Sequence, residues 1–402
     1  MFSNPEQLCL ALARTVFFRE AMKDPVMRRF EAFVRLCGAG ASDLDKTGAY
    51  SAFAAELYAH GGDFGAYLTA LLECDDNVYA RMVATGKDIP RPMRDCFAAE
   101  LAFFSSLTRM SSAGLLTAMG LPASLAGFDN TPVDFTETIP LRLEKASLYG
   151  YGVYAKYGMF RVGDGGKLLP VPSPDNVSLD ELIGYEDERR QVIDNTKALL
   201  DGKPAANVLL CGDAGTGKSS TVKAVANRFR AQGVRLVELR KDQLALLPEV
   251  MGEIADNPLK FILFVDDLSF ACDDDGFAAL KAALEGSASA KAPNAVIYAT
   301  SNRRHLVKET FSAREGDEVH RRDAMEELMS LSERFGLTVL FSKPNKELYI
   351  QIVSTLVKAN GVEMDAKELA LKAEAFALAK GGRSARVAGQ FADSLITQNQ
   401  SE

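Results

Sequence analysis

The chain has 402 residues, enough for roughly two or three domains with separate cores. Its 47% hydrophobic and 25% charged content is that of a globular protein. A net charge of −8 argues against a nucleic-acid or membrane footprint over the whole molecule and leaves only a local basic patch as a route to either. Cys9, Cys37, Cys74, Cys96, Cys211 and Cys272 show no C-x-x-C spacing, and His60, His305 and His320 cannot build a zinc finger. Disulfide and zinc frameworks are therefore set aside.

At the start of the chain, Met1-Phe2-Ser3-Asn4-Pro5-Glu6 lacks a basic region, and the apolar stretch Leu8 to Phe18 is short and broken by Arg14. Neither a signal peptide nor a membrane span is expected, which points to the cytoplasm. Residues 1–130 read as helical. Apolar side chains recur every three to four positions in Leu8 to Met22, Met27 to Leu36, Tyr50 to Tyr58, Ala66 to Val83 and Met93 to Met119. No motif with chemistry falls there, so the region reads as a packing or partner-binding domain. Residues 131–176 read as an extended linker rich in Gly, Pro and aromatics. The tyrosines of Tyr149 to Tyr157 offer a surface for stacking bases, against the plainer alternative that they pack onto neighbouring structure. Pro170, Pro172 and Pro174 mark its end.

Strands then alternate with helices, the signature of a parallel sheet covered on both faces. The expected strands are Asn207–Cys211, Val234–Leu239, Lys260–Val265, Asn294–Ala299 and Leu337–Phe341. After Pro344 only helical segments follow: Lys346–Ala359, Asp365–Lys380 and Arg383–Thr397.

Directly after the first of these strands, Gly212-Asp213-Ala214-Gly215-Thr216-Gly217-Lys218-Ser219 fits G-x-x-x-x-G-K-[ST] at every fixed position, with Ser220 opening the helix behind it. Strand, glycine loop and helix together place backbone N–H groups and a helix N-terminus around an anion. Lys218 then reaches the terminal phosphates of a nucleotide, and the Ser219 hydroxyl is a ligand for Mg²⁺. About fifty residues on, the strand Phe261 to Val265 runs into Asp266-Asp267 at the sheet edge where open α/β folds bind ligands. Asp266 is placed to hold Mg²⁺ and Asp267 to orient and polarise an attacking water. The plainer reading of both is a solvated strand end. Arg303 to Arg322 is dense in charge of both signs, as a solvated loop or a subunit contact would be.

Asp266-Asp267, the strand ending in Thr300-Ser301-Asn302 and the helical tail together resemble an AAA+ ATPase from Val177 onward. More narrowly, four stretches resemble the bacterial DUF815 family of predicted AAA+ ATPases. They are Leu182 to Glu186, Tyr298 to Leu306, Ser330 to Leu337 and Gly381-Gly382-Arg383-Ser384. The resemblance implies an α/β fold with an AAA+ P-loop core and parallel five-stranded sheet at 177–344. A C-terminal helical lid at 345–402 and a mainly helical N-terminal domain complete it. It implies that Ile183-Gly184 cover adenine, that Asn302 contacts the attacking water or γ-phosphate, and that Arg334 acts as a finger in a neighbouring subunit's site. Arg383 matches the lid arginine that senses the γ-phosphate, with Arg386 one turn on as the competing candidate. The implied cofactors are ATP and Mg²⁺, and the implied partners are further copies of the chain and a protein client held by the N-terminal domain. One departure matters: many AAA+ motors carry Asp-Glu where this chain has Asp266-Asp267. Slow hydrolysis that remodels or loads a partner is therefore expected over fast motor action, with an ATP-gated switch of little turnover as the alternative. A metabolic kinase using the same loop is disfavoured by the positions of Asn302 and Arg334.

Overall fold

The computed structural model describes residues 4–268, 275–285, 292–302 and 333–399. The chain divides into two units, Met1–Lys156 and Tyr157–Glu402.

The first unit is helical because its apolar residues recur at helical spacing and its turns are rich in caps. Asp24 accepts from Val26 N and Met27 N and, with Pro25, starts α2 (Pro25–Gly38). Ser42 caps α3 (Asp43–Tyr58), and Asp63 caps α4 (Phe64–Glu73). Where long helices are expected, polar side chains interrupt them. Helix α1 (Pro5–Ala13) stops well short of Met22 because the buried Glu100 carboxylate accepts the backbone N–H groups of Val16, Phe17 and Phe18. The Ala66 to Val83 stretch breaks at Asn77, whose side chain accepts Ala80 N and opens α5 (Val78–Ala84). Met93 to Met119 divides into α6 (Arg91–Thr108) and α7 (Ser112–Ala118), with Asn130 Nδ2 donating to the Leu107 and Met110 carbonyls at the break. The core is aromatic. Phe30, Phe33, Tyr50, Phe53, Phe64, Phe104 and Phe135 are essentially inaccessible, and many of their rings meet edge to face. Each buried ring stabilises the fold by about 1.5–3 kcal/mol.

The second unit is built on a seven-stranded sheet of order β2-β1-β4-β5-β6-β3-β7. Its strands are β1 (Met159–Val162), β2 (Leu168–Pro170), β3 (Val208–Gly212), β4 (Val234–Leu239), β5 (Lys260–Val265), β6 (Ala295–Ser301) and β7 (Leu337–Phe341). All pairings are parallel except the β1–β2 hairpin. The five expected strands are present within two residues at each end. The sheet is wider than five strands because the 131–176 stretch contributes β1 and β2 at one edge. The same stretch supplies α8 (Phe135–Glu144), α9 (Ala146–Tyr149) and α10 (Val153–Lys156) to the first unit. Its Gly and Pro residues mark the turns of short elements, which hydropathy alone does not separate from an irregular strand.

β5 reads Lys-Phe-Ile-Leu-Phe-Val and is buried on both faces, as a central parallel strand requires. β3 lies between β6 and β7, so the chain crosses β6 and β5 to reach β4. The carboxyl ends of β3, β5 and β6 therefore open together on one edge, at the point where the winding reverses. Beyond β7, the helices Lys346–Ala359, Ala366–Ala379 and Ala385–Asn399 pack around Tyr349, Val353, Ala373, Ala388 and Phe391.

Candidate nucleotide site

Gly212 ends β3 at φ +139°, and a Cβ there would fall 2.0 Å from the Phe341 carbonyl oxygen. Only glycine lets the loop leave the sheet so close to β7. Gly217, at φ +90°, turns the chain into α12 (Lys218–Phe229), whose first turn has no side-chain cap. Its uncapped N–H groups and dipole suit the loop to an anion. Lys218 is buried, and its ammonium donates to Gly212 O at 3.1 Å, Asp213 O at 2.7 Å and Asn302 Oδ1 at 3.0 Å. Burial pulls its pKa below the usual lysine value, opposed by the Asp213, Asp266 and Asp267 carboxylates and the Cys211 thiol.

The carboxylates after β5 join this network. Asp266 Oδ1 accepts the Ser219 hydroxyl at 2.6 Å and the Thr300 hydroxyl at 2.5 Å. Thr300 Oγ1 in turn accepts Asp267 N at 2.9 Å, and Leu268 N donates to Thr300 O at 2.6 Å. These bonds hold Asp267 at φ +52°, a left-handed conformation that costs a non-glycine residue about 1–3 kcal/mol. In that conformation Asp267 Oδ1 accepts Asn302 Nδ2 at 2.7 Å. Lys218, Asn302 and Asp267 thus form one hydrogen-bonded chain, and Ser219, Asp266 and Thr300 form a second beside it. Ser219 Oγ and Asp266 Oδ1 are adjacent hard oxygen donors, a pair that fits Mg²⁺, which takes its remaining ligands from phosphate and water.

The loop is tied to the lid through the hinge after β7. Asp213 Oδ2 accepts Lys343 N at 3.0 Å, and Asp213 N donates to Phe341 O at 3.3 Å. Tyr185, left-handed at φ +59°, donates its hydroxyl to Ser342 O at 2.6 Å with its ring 5.3 Å from that of Phe341. Ile183 packs on the lid cluster. Gly184 lies so close to Leu348 that a Cβ would come within 2.3 Å of its Cδ1. A cavity of about 260 Å³ opens between these residues, the phosphate loop and the lid. Ile183, Tyr185, Thr216, Gly217, Ile352 and Leu356 are among its walls.

The two lid arginines differ in placement. Arg383 makes a two-pronged ion pair with Glu374 at 2.8 and 2.5 Å, so its guanidinium is held by the preceding lid helix. Arg386 is exposed in the first turn of Ala385–Asn399, and its backbone N donates to Gly215 O of the phosphate loop at 3.3 Å. Ala214 is exposed on the loop, and Ser220 is partly buried in the first turn of α12. Arg334 is partly exposed, just ahead of β7. The charged Arg303 to Arg322 segment, Ser330 to Ser332, Cys272, His305 and His320 lie outside the described residues.

Sequence reading gave no separate role to Thr300 or Tyr185. Thr300 had a signal in its place, one strand-end residue from Ser301-Asn302. Tyr185 stands in the Leu182 to Glu186 stretch, but its bond to Ser342 O joins positions 157 residues apart and has no sequence signal.

A phosphate loop on a strand between β6 and β7, paired carboxylates on β5 and a helical lid define the fold class of the AAA+ P-loop ATPases. The family model described as "Protein of unknown function (DUF815)" matches residues 155–399, and the chain belongs to that family. No curated protein matches the chain. Among solved structures it is similar to a point variant of RuvB from Thermotoga maritima, at 17% identity and a TM-score of 0.37 over 54% of this chain and 63% of that one. It is also similar to the RuvB Holliday junction branch migration motor of the same organism, at 15% and 0.31 over 55% and 72%. A structure describing katanin self-assembly matches at 18% and 0.32 over 54% and 69%. The chain thus spans less than two thirds of the first of these RuvB chains.

Proposed function

We propose that this protein binds Mg²⁺–ATP in the cleft at the carboxyl edge of its sheet and hydrolyses it slowly, using the cycle to remodel or load a partner. The observation that carries this reading is the convergence of Lys218, Ser219, Asp266, Asp267 and Asn302, from three strand ends, into direct hydrogen-bond contact. Lys218 and the loop amides would bind the phosphates. Ser219 and Asp266 would hold Mg²⁺, which supplies charge neutralisation at the phosphoryl oxygens. Asp267 would take and orient the attacking water, with Asn302 fixing the carboxylate from the other side. In the lid, Arg386 is better placed than Arg383 to follow the phosphates, since Glu374 holds the Arg383 guanidinium. Arg334 would serve the site of a neighbouring copy, which makes a homo-oligomer part of the proposal. The helical unit would hold a protein client. No described helix is long and apolar enough to cross a membrane, and the proposed location is the cytoplasm.

The switch reading stays open on one specific observation, the shorter Asp267 side chain, which already hydrogen-bonds Asn302. Steady-state turnover of the wild type against Asp267→Asn tests the assignment. ATP affinity should hold within about threefold while turnover falls by about 100-fold or more. Unchanged turnover would leave Asp267 as a strand-end residue only, and a wild type without turnover would favour the switch.

A further inference from the structure

The 260 Å³ cavity has two charged side chains in its wall, Glu181 and Arg189, among apolar and small residues. Arg189, in the second turn of α11 (Glu186–Leu200), is buried, yet its nearest carboxylate oxygen, Glu186 Oε1, is 3.6 Å from Nη2. That is longer than a hydrogen bond, and Glu186 itself is two-thirds exposed. Burial lowers the Arg189 pKa, with Glu186 and Glu188 opposing. A guanidinium carries five donors in a fixed fork and no acceptor, so its desolvation is offset only by acceptors brought to it. Glu181 is the complementary group. One of its oxygens, Oε2, accepts Ser178 N at 3.1 Å in a capping box, which leaves Oε1 for a donor.

We propose that Glu181 and Arg189 read the base of the bound nucleotide, Glu181 accepting the exocyclic amino group of adenine and Arg189 donating to an adjacent ring nitrogen. The proposal rests on the ATP reading of that site and adds the two side chains that select its base. Adenine presents a donor beside an acceptor on either of its open edges. In the same pose, guanine sets its O6 acceptor against the carboxylate. Turned over, guanine offers two neighbouring donors to a carboxylate with one oxygen already engaged. A buried group built to hydrogen-bond one pattern rejects the other because it is left unpaired, and here that group is Arg189, since Glu181 is exposed at the cavity wall.

Calorimetric titration of Mg²⁺–ATP and Mg²⁺–GTP into the full-length wild type, Glu181→Gln and Arg189→Met tests this, with thermal unfolding as the check on folding. Glutamine at position 181 keeps the capping box while offering an amide to O6. The wild type should prefer ATP by about tenfold or more. Glu181→Gln should narrow that ratio by raising GTP affinity. Arg189→Met should narrow it by lowering ATP affinity about tenfold while GTP changes less than about threefold. Equal loss of both nucleotides in Arg189→Met would assign the arginine to ribose, phosphate or packing and overturn the pair, as would ATP and GTP bound equally by the wild type. Those results leave the nucleotide site standing, whereas a wild type that binds neither nucleotide removes the site and the pair together.

Discussion

The two units bury polar side chains for different ends. In the helical unit, Glu100 collects three backbone N–H groups, Ser105 accepts Phe135 N, and Thr108 accepts Val133 N. Each ties one stretch of backbone to another across an aromatic core. In the α/β unit, the buried Lys218 and Thr300 belong to a network of side chains at a sheet edge, and a left-handed Asp267 is held within it. Polar groups that satisfy backbone are part of a fold. Polar groups that converge on one another around an uncapped helix start, at some cost in backbone strain, are the mark of a site.

If that division is right, damage to one unit should leave the other's property intact. The largest effect expected is from Phe53→Ala, which removes a fully buried ring packed against Phe30, Phe64 and Phe128. Denaturant unfolding should report a loss of about 3–5 kcal/mol, with ATP affinity unchanged within about twofold. A matching fall in affinity would mean that the helical unit contributes to the site.

The next concerns pH. Burial raises the Asp75 carboxyl to about 6, against hydrogen bonds from Asn77 and Ala21 N, with Asp76 and Glu20 adding to the rise. Its unfolded value is near 4. Between about pH 4 and 6 the native state holds a proton that the unfolded chain has lost, so stability falls as pH rises through that window and is level above it. The drop should be about 2–3 kcal/mol, and Asp75→Asn should flatten it. Unfolding curves at pH 4, 5, 6 and 7 check the slope, and an unaltered slope in the variant would clear Asp75 of it.

A smaller effect is expected at the hinge. Asp213→Ala removes the acceptor for Lys343 N, worth about 1 kcal/mol, and should weaken ATP binding by about fivefold through a looser lid. Protection of the hinge amides from hydrogen exchange should fall with it. Full protection in the variant would show that the Tyr185 bond to Ser342 O suffices.

Much of the α/β unit was legible in the sequence because parallel strands are short unbroken apolar runs and the phosphate loop has fixed spacing. Where the reading fell short, the cause lies in contacts distant along the chain. Glu100 ends α1 from more than eighty residues away, and β1 and β2 become strands only by pairing at the edge beside β4. The lid arginines could not be told apart from spacing, since the partner that holds Arg383 is Glu374 on the preceding helix. Thr300 was legible as a strand end, but its bonds to Asp266 and Asp267 were not, because they depend on β5 and β6 being neighbours.

The central claim is that the network around Lys218 is a nucleotide site, and calorimetric titration of Mg²⁺–ATP into the wild type and Lys218→Ala tests it most directly. The ammonium contributes charge-assisted bonds to the phosphates, each worth about 1.5–3 kcal/mol. Affinity should fall by about 100-fold or more in a variant whose thermal unfolding remains cooperative. An affinity unchanged within about twofold in that folded variant would contradict the account.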